Sequence, residues 1–128
     1  MAKRKTTEER ALEVLICARD LVAKPGGWIK HRLKHRRTKT EMEQGQAEYA
    51  YCVLGAIYKC SGRAGRTRSN YSAMATAIVE ECIPAWSLSS ISSFNDAQTT
   101  RQRDVVALFN RAIKRMEKEV AKQDAAAA

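Results

Sequence analysis

Apolar residues recur along this chain at helical spacing in four stretches, separated by segments rich in Gly, Ser and basic residues. The first helix is announced by Thr6-Thr7-Glu8-Glu9, a capping box in which Thr6 reaches forward and Glu9 reaches back. Leu12, Leu15, Ile16, Arg19 and Val22 follow at three- and four-residue steps, with Leu21 near the same face, until Pro25-Gly26-Gly27 stops the helix. A second helix is predicted over residues 46–59. There Ala47, Tyr51, Leu54 and Tyr58 form a stripe flanked by Ala50, Val53 and Ile57, an almost all-round apolar surface that marks a central element. Gly55 inside it costs about 1 kcal/mol relative to Ala, which points to close approach by another helix. A third helix is predicted over residues 71–82 with Met74, Ile78 and Cys82 on its stripe, ended by Pro84. A short helical turn then pins Ile91 and Phe94 inward.

The last helix is the clearest. Thr99-Thr100-Arg101-Gln102 supplies a cap, and Val105, Phe109, Ala112, Met116 and Val120 define the stripe. Val106, Leu108 and Ile113 widen it beyond a coiled-coil seam, so it docks on a core. No internal repeat and no convincing alternation of period two is present. The expected fold is all-α: a compact single-domain bundle of four to five helices with a basic loop or short ribbon between the first two. Its expected boundaries are a basic tail and cap over residues 1–9, the domain over 10–122, and a frayed Ala-rich tail over 123–128.

Length and composition fit this picture. A chain of 128 residues with 45% hydrophobic residues is one ordinary domain. No apolar window approaches the roughly 18 residues of a membrane span. The basic start at Met1 leads into Thr and Glu rather than an apolar secretion core, so the expected location is cytoplasmic, in a bacterial or phage-infected cell. Cys17, Cys52, Cys60 and Cys82 lie far apart without a C-x-x-C pair, and read as buried thiols used as small hydrophobes. Cys52 and Cys60, about 12 Å apart along a continuous helix, cannot bond to each other.

Charge changes the picture more. Lys and Arg number 23 against 14 Asp and Glu, a net charge of +9. Six of the cations (Lys30, Arg32, Lys34, Arg36, Arg37 and Lys39) fall between Trp28 and Lys39, a segment with two His and no acid. A second cluster, Arg63, Arg66 and Arg68, sits on a glycine-containing connector, and the last helix adds Arg101, Arg103, Arg111, Lys114 and Arg115. Such clusters neutralise phosphates, and Trp28, His31 or His35 could stack on bases. With no helix-turn-helix, zinc-finger or RNA-recognition signature, the contacts would favour phosphate over sequence.

Read together, Gly27-Trp28, Cys52-x-x-Gly55-Ala56-Ile57, Ile91-x-x-Phe94-Asn95-Asp96, Val105 and Ala112 resemble an uncharacterised family of small actinobacterial and phage proteins, domain of unknown function 6197. The resemblance spans roughly residues 10–115 and implies a bacterial or phage origin. It brings no activity with it. It marks Cys52, Gly55, Ala56, Asn95 and Asp96 as positions that matter together, with scaffold roles expected: Asn95 or Asp96 as a cap or turn, Trp28 as a packed anchor. The basic runs depart from that pattern and are particular to this chain.

The expectation is thus a non-catalytic accessory protein that binds DNA or RNA, as a monomer or homodimer, without membrane association. The alternatives are an interaction module for an acidic host or phage protein, and a Cys-dependent enzyme. For the enzyme, Cys52 would be the nucleophile, His31 or His35 the base and Asn95 or Asp96 the orienting group, but a thiol in mid-helix has its pKa raised. His31 and His35 with Cys52 or Cys60 could hold zinc, although the surrounding cations oppose it, so neither metal nor cofactor is expected.

Overall fold

The computed structural model describes residues 4–62, 70–84 and 90–127. Helix α1 (Thr7–Ala23) starts at the Thr6 capping box, with the Glu9 N–H donated to Thr6 Oγ1 and the Thr6 N–H donated to Glu9 Oε1. A ribbon follows, in which β1 (Lys34–Arg36) pairs antiparallel with β2 (Tyr49–Tyr51), and α2 (Lys39–Glu43) sits in the connection between them. Then come α3 (Val53–Cys60), α4 (Asn70–Glu81), α5 (Ile91–Asp96) and α6 (Gln102–Ala127). The molecule is a mainly α-helical bundle, as expected, with a small ribbon set into the basic segment.

α6, at 26 residues about 39 Å long, runs antiparallel along α1. Thr6 at the start of α1 donates its hydroxyl to Gln123 near the end of α6, while Gln102 at the start of α6 donates to the Val22 and Lys24 carbonyls at the end of α1. Gln102 thereby satisfies carbonyls that the last turn of α1 leaves without intrahelical partners. α1 also packs on α3 and α4. The core gathers Leu15, Ala18 and Val22 of α1, Val53 and Ile57 of α3, Val79 of α4, Ile91 and Phe94 of α5, and Leu108, Phe109 and Met116 of α6.

Three expectations are corrected. The predicted helix over residues 46–59 is divided: Tyr49–Tyr51 is β2, and α3 begins only at Val53. A near-continuous apolar run suits a buried strand and a buried helix equally, and here Tyr51 donates its N–H to the Gly27 carbonyl and accepts from the Ile29 N–H, two bonds that hold it extended. On α4 the fully buried face is Ser72, Ala75, Thr76 and Val79; Met74, Ile78 and Cys82 are only half-buried at its margin, because small side chains let α1 and α6 come close. Ala125, Ala126 and Ala127 are the last residues of α6. Finally, the cysteines are not four buried thiols. Cys17 on exposed α1 surface and Cys60 at the end of α3 are joined by a disulfide with Cα atoms 5.8 Å apart, Cys82 is half-buried, and only Cys52 is a buried free thiol. Helix packing brings together two residues separated by 43 positions, which no local spacing reveals.

Candidate functional site

The junction of the ribbon, α3 and α5 concentrates the polar chemistry. Its centre is Asn95, 1% exposed in the last turn of α5. Its Oδ1 accepts from Trp28 Nε1 at 2.8 Å and from the Val53 backbone N–H at 3.1 Å, and its Nδ2 donates to the Ile29 carbonyl at 3.2 Å and to Asp96 Oδ1 at 2.9 Å. Every donor and acceptor site of one buried amide is thus occupied, as burial of a polar group demands. One side chain ties α5 to the Trp28–Ile29 segment and to the first residue of α3.

The start of α3 is closed by two further groups. Cys52 is its N-cap, extended at φ −78° and ψ 176°, and its Sγ accepts from the Gly55 N–H at 3.3 Å. The Cys52 N–H in turn donates to the Leu33 carbonyl at 3.3 Å. Gly55 admits that carbonyl: a Cβ there would lie 1.8 Å from Leu33 O. The close neighbour of Gly55 is therefore a loop backbone and not the helix expected from the sequence.

Asp96 holds the loop from the other side. Its Oδ1 accepts from the His31 backbone N–H at 2.8 Å, and its Oδ2 lies 3.5 Å from His31 Nδ1. His31 is left-handed at φ 66°, the one non-glycine residue so placed among the described residues. Such a conformation costs about 1–2 kcal/mol, and the Asp96 contact helps to hold it. Burial pushes the Asp96 carboxyl up, yet the Asn95 amide, the His31 backbone N–H and ring, and the Lys30 ammonium together outweigh it and leave the group below the ordinary carboxylate range. A cleft of about 190 Å³ opens here, lined among others by His31, Arg32, Cys52, Asn95 and Asp96. Burial pushes the Cys52 thiol up and the Asp96 charge adds to this, against the Gly55 and Leu54 N–H groups that pull it down.

The basic segment divides into framework and surface. Lys30 donates to the Ala97 carbonyl at 2.6 Å and lies 5.6 Å from the Trp28 ring centroid. Arg37 donates to the Gly26 carbonyl through two nitrogens, at 3.1 and 2.9 Å, and pairs with Glu41 at 3.1 Å. Glu41 also closes a second capping box with Thr38 at the start of α2. Arg32, Lys34, Arg36 and Lys39 are exposed; Arg36 faces Glu48 at 3.6 Å, and Lys34 lies 4.2 Å from the Tyr49 ring centroid. Arg63, Arg66 and Arg68 lie outside the described residues. Of the candidate stacking groups, Trp28 is half-buried and bonded to Asn95, His35 is half-buried with its Nδ1 3.2 Å from Arg32, and His31 is exposed. Among the described residues no group of three or more His, Cys, Asp or Glu is placed to hold a metal, and no helix is long and apolar enough to cross a membrane.

A family of unknown function, DUF6197, matches residues 6–115. The chain belongs to that family. No curated protein and no solved structure matches it. In this DUF6197 member, Trp28, Cys52, Gly55, Asn95 and Asp96, which are far apart in sequence, meet at the junction just described. Apart from the adjacent Asp96, the partners of Asn95 sit 42 to 67 positions away, so the chain order gave no sign of them. The Cys52 cap is a different case. Thiols are weak acceptors and fall outside the usual capping set, so sequence reasoning put Cys52 in mid-helix, whereas it starts α3.

Proposed function

We propose that this protein binds nucleic acid without chemistry, chiefly through phosphates, over the outer face of the ribbon and the start of α2. One observation carries the reading: Arg32, Lys34, Arg36 and Lys39 all reach solvent from a single eight-residue stretch, on a chain of net charge +9. Lys34 and Arg36 alternate with half-buried His35 on β1, so they share one face about 6.6 Å apart along the strand. Lys30 and Arg37 are engaged instead with backbone carbonyls, of Ala97 and Gly26.

The test is equilibrium binding to DNA and RNA across salt. If all four cations reach phosphates, the slope of log affinity on log salt is about −3.6 for duplex and −2.8 for single strands. Changing the four to Ala removes most of that slope while leaving the thermal melt intact, because all four are exposed. Undetectable binding at about 20 mM salt, where screening is weak, overturns the reading. So does capture of an acidic protein partner that persists after nuclease treatment in the absence of any oligonucleotide affinity.

A second reading, Cys52-dependent chemistry, is favoured by one specific observation. Cys52 begins a helix and shares a cleft with His31 and Asp96, which the mid-helix expectation had denied it. Its raised pKa works against a standing thiolate. Alkylation of Cys52 by iodoacetamide at neutral pH much slower than that of a free thiol in the unfolded chain removes this reading.

A further inference from the structure

A second groove, of about 250 Å³, lies beside the cationic face between the ribbon and α3, lined by Leu33, Lys34, Tyr51, Gly55, Tyr58 and Lys59. Three observations set it apart. Leu33, 51% exposed, is the large apolar side chain that the described residues leave in solvent. Tyr51 is buried at 4% exposure and Tyr58 is half-buried, so two aromatic residues line the groove from inside. Lys34 and Lys59, from β1 and α3, are both exposed, and each lines the groove. Gly55, Tyr58 and Lys59 follow at three- and four-residue spacing and therefore share one face of α3.

An aromatic and aliphatic groove with two lysines in its lining matches a flat ring whose attached backbone carries negative charge on either side. It is smaller than the roughly 300–1,000 Å³ of pockets built for drug-sized ligands, and suits one ring system. We infer that this groove takes a single unstacked base of single-stranded nucleic acid, with Lys34 and Lys59 on the flanking phosphates. The inference rests on the nucleic-acid reading above and adds strand preference to it. A base inside a duplex is stacked and cannot enter, whereas a single strand can turn one base in while its backbone follows Arg32 and Arg36. Because every base presents an aromatic face, the slot discriminates strandedness more than sequence.

The experiment is fluorescence anisotropy with a labelled 20-nucleotide dT strand, a 20-nucleotide U strand and a 20-base-pair duplex, at fixed low salt. The single strands are expected to bind more tightly than the duplex. Tyr58→Ala should weaken single-strand binding about 5- to 100-fold while duplex binding changes less than about twofold, and Tyr58→Phe should keep single-strand affinity. Lys34→Ala and Lys59→Ala should each reduce the single-strand salt slope by about 0.7. Should Tyr58→Ala lose its helical circular dichroism, Leu33→Ser decides, since an exposed side chain can be changed without unfolding; a loss of at least about threefold on single strands is expected. Equal affinity for duplex and single strand, with neither Tyr58→Ala nor Leu33→Ser selective, overturns the slot and leaves phosphate binding standing. Absence of binding to all three probes overturns both.

Discussion

Replacing Asn95 with Leu tests the junction most directly. The two side chains share one branched outline and Leu is the bulkier, so the change leaves no cavity; it removes four hydrogen bonds and adds some overpacking. The Val53 N–H is the costliest orphan: Val53 is fully buried, and an unpaired buried donor costs about 1–3 kcal/mol. The Trp28 N–H and the Ile29 carbonyl belong to half-buried residues and can partly rehydrate, so each adds less, about 0.5–1.5 kcal/mol. Asp96 loses the amide that orients it but keeps the His31 N–H. Since these terms are not additive, a total of about 3–5 kcal/mol is expected, against the roughly 5–15 kcal/mol by which domains of this size are stable. In thermal melts this is a fall of about 9–18 °C in Tm. Urea unfolding of the wild type, Asn95→Leu, Trp28→Phe and the double variant, at pH 7, gives the coupling between Asn95 and Trp28. A loss below about 1 kcal/mol for Asn95→Leu, with an unchanged m-value, would refute the view that this amide holds the loop, α3 and α5 together.

Three further outcomes follow from the same geometry. Under oxidising conditions the unfolded protein should titrate two free thiols per chain, Cys52 and Cys82, rising to four after reduction; reduction or Cys17→Ala should cost about 2–4 kcal/mol, given the 43-residue separation, and four thiols without reductant would count against the cross-link. Because the Asp96 carboxyl is lower in the folded than in the unfolded state, its stabilisation is complete above the unfolded value near 3.8 and is lost as pH falls through the folded value; urea midpoints of the wild type should therefore drop below about pH 4 more steeply than those of Asp96→Asn, and parallel curves would contradict this. Gly55→Ala should destabilise by about 1–3 kcal/mol despite the better helix propensity of Ala, since the new methyl meets the Leu33 carbonyl backbone; a neutral or raised Tm would show that the loop yields freely.

The long elements were legible from periodicity, helped in α1 by the Thr6–Glu9 box; α6 was legible from its Val105 to Met116 stripe alone, since its start is closed by Asp104 accepting from the Arg101 N–H and not by the expected Thr99 or Thr100. α2 was spelled out too, by Thr38 and Glu41, but five residues carry no periodicity and the stretch was absorbed into the loop or ribbon expected between the first two helices. The start of α3 was not legible, since Tyr49 to Leu54 is apolar whichever way the backbone turns, and what decides between strand and helix is a bond to Gly27 and an amide from α5. The charge of the 30–39 segment was plain from composition, yet the sequence could not separate Lys30 and Arg37, which brace carbonyls, from Arg32, Lys34, Arg36 and Lys39, which face outward. Tyr51 and Tyr58 counted only as core stripe, because a groove between two elements has no signature in either one.

The antiparallel pairing of α1 with α6 also bears on how the chain is made. On a ribosome α1 emerges well before α6, the helix that covers Leu15, Ala18 and Val22. At roughly 5–20 residues per second, the intervening chain takes several seconds to appear. During that interval the apolar face of α1 can be covered only by the shorter α3 and α4, so the long seam between α1 and α6 closes only once α6 has appeared.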